Sequence, residues 1–129
     1  MHPFEKELRR TLARVERWVD RPHHPVPLLD RVRIEYALAS WWASGDGSDT
    51  DMAVEFVRAA AVAVDPGERR SALLDAAHHL WASLDGHGFV SSDEHVLAGL
   101  EMISTADAFR RDLGQPLSDI VPDDLPSPE

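Results

Sequence analysis

Residues 68–113 read ERRSALLDAAHHLWASLDGHGFVSSDEHVLAGLEMISTADAFRRDL, and this stretch decides the fold. Leu73, Ala77, Leu80, Trp81 and Leu84 recur at helical steps, so they share one helical face. Pro66 and Gly67 predict a break before this helix, and Gly86 and Gly88 predict its end. Ser91 and Glu94 have the spacing of a capping box, which predicts that a second helix starts there. Val96, Leu100, Ile103, Ala106, Phe109 and Leu113 follow along one broad apolar face. Gly114 and Pro116 then stop the helix. The result is a helical hairpin around which the other segments pack.

Upstream, a helix is predicted from Pro3 to Asp20, with Phe4, Leu8, Leu12, Val15, Trp18 and Val19 as its apolar stripe. Its other face carries Lys6, Arg9, Arg10, Arg14 and Arg17 among Glu5, Glu7 and Glu16. The spacing of Glu5 and Arg9 suits a near-neighbour ion pair, so this face reads as solvated and not as a phosphate dock. Three prolines between Arg21 and Pro27 forbid a helix there. His23 and His24 lie in that linker and read as exposed, because neighbours in an extended chain point opposite ways.

A second helix is expected from Pro27 to Ser44. Leu28, Val32, Leu38, Ala39 and Trp42 mark one side, and Ile34, Tyr36 and Trp41 extend it until the helix is apolar almost all round. That pattern predicts burial on several sides and a central position. A polar turn from Gly45 to Asp51 leads to a third helix ending near Val64, whose Met52, Phe56, Ala59, Ala60 and Ala63 form a face suited to close approach. The fold expectation is all-α: a single-domain bundle of about five helices over residues 1–114, then an irregular, acidic, Pro-rich tail over 115–129.

A chain of 129 residues suits one domain with a real core. It has no cysteine, which excludes disulfides, cysteine-ligated metals and a cysteine nucleophile. No apolar run approaches the roughly 18 residues that a membrane span needs, and the N-terminus lacks the apolar region of a secretory signal. The expectation is therefore a cytoplasmic protein without membrane contact. Net charge is −10 and unevenly spread: residues 1–33 balance to +3 and residues 34–129 to −13. An acidic body repels phosphates, which argues against nucleic acid and favours a protein partner, with a basic one the natural complement.

The turn from Asp85 to Glu94 locally resembles the calcium-binding loop of an EF-hand, with a helix on either side and a closing Glu94. Counting back from Glu94 puts Ser83 at the first ligand position, Asp85 at the third and His87 at the fifth. Only Asp85 and Glu94 are strong oxygen ligands. The resemblance implies calcium; the plain reading is a glycine turn before a capped helix. Asp75, His78 and His79 sit close together on the hairpin's first helix, opposite the Leu73–Leu80–Leu84 stripe, and are expected to face solvent. His87 and His95 join them only if the turn folds back. No metal or cofactor site is assigned.

Catalytic signatures are scarce: there is no Gly-Xaa-Ser-Xaa-Gly elbow, no phosphate-binding glycine loop and no zinc-peptidase motif. Glu35 falls within the apolar stripe of the second helix, with Arg31 one turn earlier. Buried charge needs a partner, so an Arg31–Glu35 pair at the core rim is the structural reading. The functional alternative is a polar anchor in a pocket lined by Tyr36, Trp41 and Trp42. In the tail, Leu117, Ile120, Val121 and Leu125 alternate with prolines and acids, as in an extended ligand for a partner. The favoured expectation is a non-enzymatic acidic protein that binds another protein, of adaptor, antitoxin or immunity type. The alternatives are a small-molecule or metal-binding helical protein, enzymes included, with its pocket around Glu35, Tyr36 and Trp42, and a degenerate EF-hand-like calcium binder at 85–94.

Overall fold

The computed structural model describes residues 2–39 and 48–112, and these form five helices and no strand. They are α1 (Pro3–Val19), α2 (Leu28–Ala39), α3 (Ser48–Val62), α4 (Pro66–Gly86) and α5 (Ser92–Asp112). The fold is the expected all-α bundle. Its centre is α4, which packs most extensively on α3, then on α1, then on α5.

The buried face of α4 consists of Leu73, Ala76, Ala77, Leu80, Ser83 and Leu84, and Leu73, Leu80 and Leu84 are wholly removed from solvent. Pro66 and Gly67 do not break the chain before this helix, as the sequence suggested; they form its first turn. Asp65 is the cap, its Oδ2 accepting the Glu68 N–H at 2.9 Å. Proline is favourable at this position because its missing N–H would lack a helical partner anyway. At the other end Gly88 adopts φ +74°. The Phe89 N–H reaches the Leu84 carbonyl at 2.9 Å, and the Gly88 N–H reaches that of Asp85 at 2.9 Å. This is the left-handed glycine stop that side-chain-bearing residues enter only with strain.

Against α4 lie the buried Phe4, Leu8, Leu12, Val15 and Val19 of α1. The outer face of α1 is laced as expected, with Arg9 to Glu5 at 2.9 Å and Arg10 to Glu7 at 3.2 Å. On another side α3 buries Thr50, Ala53, Val57 and Ala60. This face is rotated from the predicted one, because Met52 and Ala59 are exposed. Of the small residues expected at a close contact, Ala60 is buried, and Ala53 of α3 and Ala76 and Ala77 of α4 are buried with it. The Thr50 and Ser83 hydroxyls, both buried, share a hydrogen bond of 3.4 Å between these helices.

The junction of α3, α4 and the linker is tied by Arg69, itself nearly buried. Its guanidinium donates to the carbonyls of Pro22 at 2.8 Å, Ala63 at 2.6 Å and Ala60 at 3.4 Å. Carbonyls at a helix C-terminus lack helical partners, and a guanidinium can satisfy several at once.

Two helices are peripheral. The expected central place of α2 is not what forms: it packs on α3 and, less, on α1. Ile34 and Leu38 enter the core, whereas Leu28, Leu29, Val32 and Tyr36 are exposed. α5 begins as predicted, with Ser91 Oγ accepting the Glu94 N–H at 3.1 Å. Met102 packs against the core, but Val96, Leu100 and Ile103 are only half-buried. The side chains of Ala106 and Phe109, and all of Leu113, lie outside the described residues.

Leu80→Ala should cost about 2–5 kcal/mol of unfolding free energy, because it empties a site with no solvent access. Leu97→Ala, on the exposed side of α5, should stay within about 0.5 kcal/mol of the parent. Urea denaturation measures both, and equal costs would mean that the core face of α4 is misassigned.

Candidate functional site

Glu35 lies between two guanidiniums. Its Oε1 accepts a hydrogen bond from Arg58 Nε at 2.8 Å, and Arg31 Nε stands 3.8 Å away. Arg58 also reaches Glu55 at 2.6 Å. The Glu35 carboxylate raises the pKa of Arg58, first through this hydrogen bond and then through its charge. The Arg31–Glu35 proximity was legible from the four-residue spacing, but Arg58 comes from α3 and gave no such signal. A cleft of about 390 Å³ opens beside them, lined by Glu35, Leu38, Thr50, Val54, Glu55 and Arg58. Tyr36 does not line it and is 79% exposed. Trp41 and Trp42 lie outside the described residues, as do the tail residues Leu117, Ile120, Val121 and Leu125.

Tyr36 belongs instead to a second apolar face of α2. Leu28, Leu29, Val32 and Tyr36 fall within an arc of about 100°, at roughly 100° per residue, and are between 48% and 79% exposed. Ile34 and Leu38 sit on the far side of the helix, in the core. The all-round apolar character of α2 thus reflects one face turned inward and one left open. Leu29 went unnoticed in the sequence because a helix apolar on every side gives no directional signal.

The histidines are drawn together more closely than sequence spacing suggested. Asp75 and His78 are exposed as expected, whereas His79 is partly covered: its ring stacks on Phe56 of α3 at 5.5 Å, and its Nδ1 lies 2.9 Å from Asp49. The reason is that α3 covers that flank of α4. The turn brings back His95, whose Nδ1 lies 3.1 Å from Asp85. His78 stands between them, its ring centroid 5.4 Å from His79 and 5.5 Å from His95. The pKa of His78 is lowered, by partial burial first and then by the two neighbouring imidazoles. His87 goes elsewhere, meeting Phe4 edge-on at 4.9 Å and stacking on Phe89 at 5.5 Å.

In the turn that resembles an EF-hand loop, the candidate ligands Asp85 and Ser83 have partners within the protein. Asp85 accepts from Ser92 at 3.2 Å as well as from His95, and Ser83 is buried against Thr50. Among the described residues, no three His, Asp or Glu side chains are grouped to hold a metal ion. Calcium at millimolar concentration should leave the melting temperature unchanged. A rise that disappears in Glu94→Gln would restore the calcium reading.

A groove of about 150 Å³ runs between α1, α4 and α5, with Leu74, Trp81 and Met102 beneath Glu16, Asp20 and Glu101. The pKa of Glu16 is raised, by burial first and then by the charges of Glu101 and Asp20. A carboxyl raised in the folded state favours folding while protonated, and that advantage is lost as pH rises through its folded value. Glu16→Gln should therefore raise the melting temperature slightly at pH 7. The difference should shrink as pH falls toward the ordinary carboxyl value of 4.5. Paired thermal melts across that range measure it.

No protein-family model matches the chain, and no curated protein or solved structure shows significant similarity to it.

Proposed function

We propose that this chain is a non-enzymatic protein-binding module that docks through the open face of α2. The observation that carries the reading is the arc of Leu28, Leu29, Val32 and Tyr36, four large apolar side chains exposed together on one helix. Leu28, Val32 and Tyr36 repeat every four residues, the spacing with which a helix anchors in an apolar groove of another protein. Leucine and tyrosine bury large surfaces when such a groove closes over them, and tyrosine keeps a polar tip for its rim.

Charge defines the partner further. With a net charge of −10, the molecule attracts a basic protein and repels phosphate backbones. No helix among the described residues is long and apolar enough to cross a membrane. An adaptor, antitoxin or immunity role in the cytoplasm is the finer form of this proposal. In that form the acidic segment bearing Leu117, Ile120, Val121 and Leu125 adds a second contact. The small-molecule alternative has the cleft beside Glu35 in its favour, yet the carboxylate there is already met by Arg58 and Arg31, and Tyr36 is turned away.

The test is a partner isolated from the native host with the parent protein, then titrated against Val32→Asp and Tyr36→Ala. Both changes lie on the exposed face and should leave the melting temperature nearly unmoved. Affinity should fall at least about tenfold if these side chains are anchors. Undiminished binding by both variants would remove α2 from the interface.

A further inference from the structure

His78, His79 and His95 form a seam where α5 meets α4 and where α3 flanks it. We propose that this seam is an acid-sensitive latch, which holds the first turns of α5 against α4 while His78 is neutral and loosens them when His78 is charged.

The charged groups facing the seam can be assigned element by element. α3 contributes Asp49, 2.9 Å from His79, and the end of α4 contributes Asp85, 3.1 Å from His95. α4 also contributes Asp75, whose charge acts on His78 together with that of Asp49. An ionised carboxylate only accepts hydrogen bonds, so Nδ1 of His79 and of His95 carries the proton in these contacts. His78 differs: its ring stands 5.4 Å from that of His79 and 5.5 Å from that of His95, and among the described residues no carboxylate is hydrogen-bonded to it. Charging it sets a cation against both neighbouring imidazoles.

The sign follows from linkage. Burial lowers the pKa of His78, and the other imidazoles add to the effect against Asp49 and Asp75. The unfolded chain then holds this proton more tightly than the folded one. The contribution of His78 to stability is constant above the ordinary value of 6.5 and declines as pH falls from there through the depressed folded value. Asp75, with its pKa raised by burial first, has the opposite sign, but acts only near the carboxyl range that starts from 3.8. Glu16, on the far side of α5, likewise counters only near its own range from 4.5. Between these ranges and 6.5 neither carboxyl opposes His78.

α5 is the element that yields because it is the least anchored. None of its described side chains is fully buried, and α4 is its main packing partner. The turn before it is fastened separately, through the rings of Phe4, His87 and Phe89 and through the Arg9 guanidinium, which donates to the Phe89 carbonyl at 3.0 Å. Loosening beyond that fastening uncovers Leu74, Trp81 and Met102 in the groove beneath α5.

Hydrogen exchange of the full chain at pH 7.0 and 5.5, corrected for the intrinsic rate, tests the latch in residues 95–105. In the parent, protection there should fall by up to about tenfold for each unit of pH below 6.5, while residues 73–84 of α4 change less. In His78→Gln the protection of α5 should be the same at both pH values. Equal protection of the parent at both values would overturn the proposal, as would an undiminished loss in His78→Gln. If that variant does not fold, the imidazole titration of the parent by NMR decides instead: His78 titrating below 6.5 supports the latch, and titration at or above it overturns the latch.

Discussion

Everything in this fold depends on the burial of one helix on several sides. Leu73, Leu80 and Leu84 are fully removed from solvent, and no single neighbour does this. α1 and α3 each cover part of α4, with larger apolar side chains on the first and smaller ones on the second. Burying such side chains contributes about 1.5–3 kcal/mol each, which makes this contact set the main source of stability. Arg69 then closes the one end where chain entry would leave carbonyls stranded, joining the linker, α3 and α4 through a single side chain.

The sequence made the helices legible better than their partners. The stripe of α1, the hairpin of α4 and α5, and the capping serine at residue 91 could all be read, because each depends on spacing along a local segment. The place of α2 could not. Periodicity says which faces of a helix are apolar, but not which of them meets another helix. A helix with two apolar faces reads as buried whether or not both are covered. α3 shows the same limit in milder form: Met52 and Ala59 read as one face with Ala60, whereas the packed helix buries Ala53, Val57 and Ala60 and leaves those two exposed.

The polar sites divide along the same line. Arg31 and Glu35 sit one helical turn apart, so their proximity could be anticipated. Arg58 with Glu35, Asp49 with His79 and Arg69 with Pro22 join residues 20 or more positions apart, and nothing in a single sequence announces such pairs. The Asp85–His95 pair spans ten residues across a turn, so it depended on how sharply Gly88 reverses the chain. Pro66 was misread for a different reason: proline breaks a helix interior but suits a first turn, and a two-position error in the start reverses its meaning.

The hydroxyl contact between Thr50 and Ser83 has a consequence for how α3 and α4 find their alignment. Alanines line both helices where they meet, and surfaces that smooth offer little resistance to sliding along one another. A slip of one helical turn would displace Thr50 by about 5.4 Å, far beyond reach of Ser83. Two buried hydroxyls would then be stranded, each at a cost of about 1–3 kcal/mol. The shifted pairing is penalised more than the aligned one is rewarded, so this pair contributes little attraction but, together with His79 on Asp49 and Arg69 on the end of α3, acts as an indexing pin for one setting of the two helices.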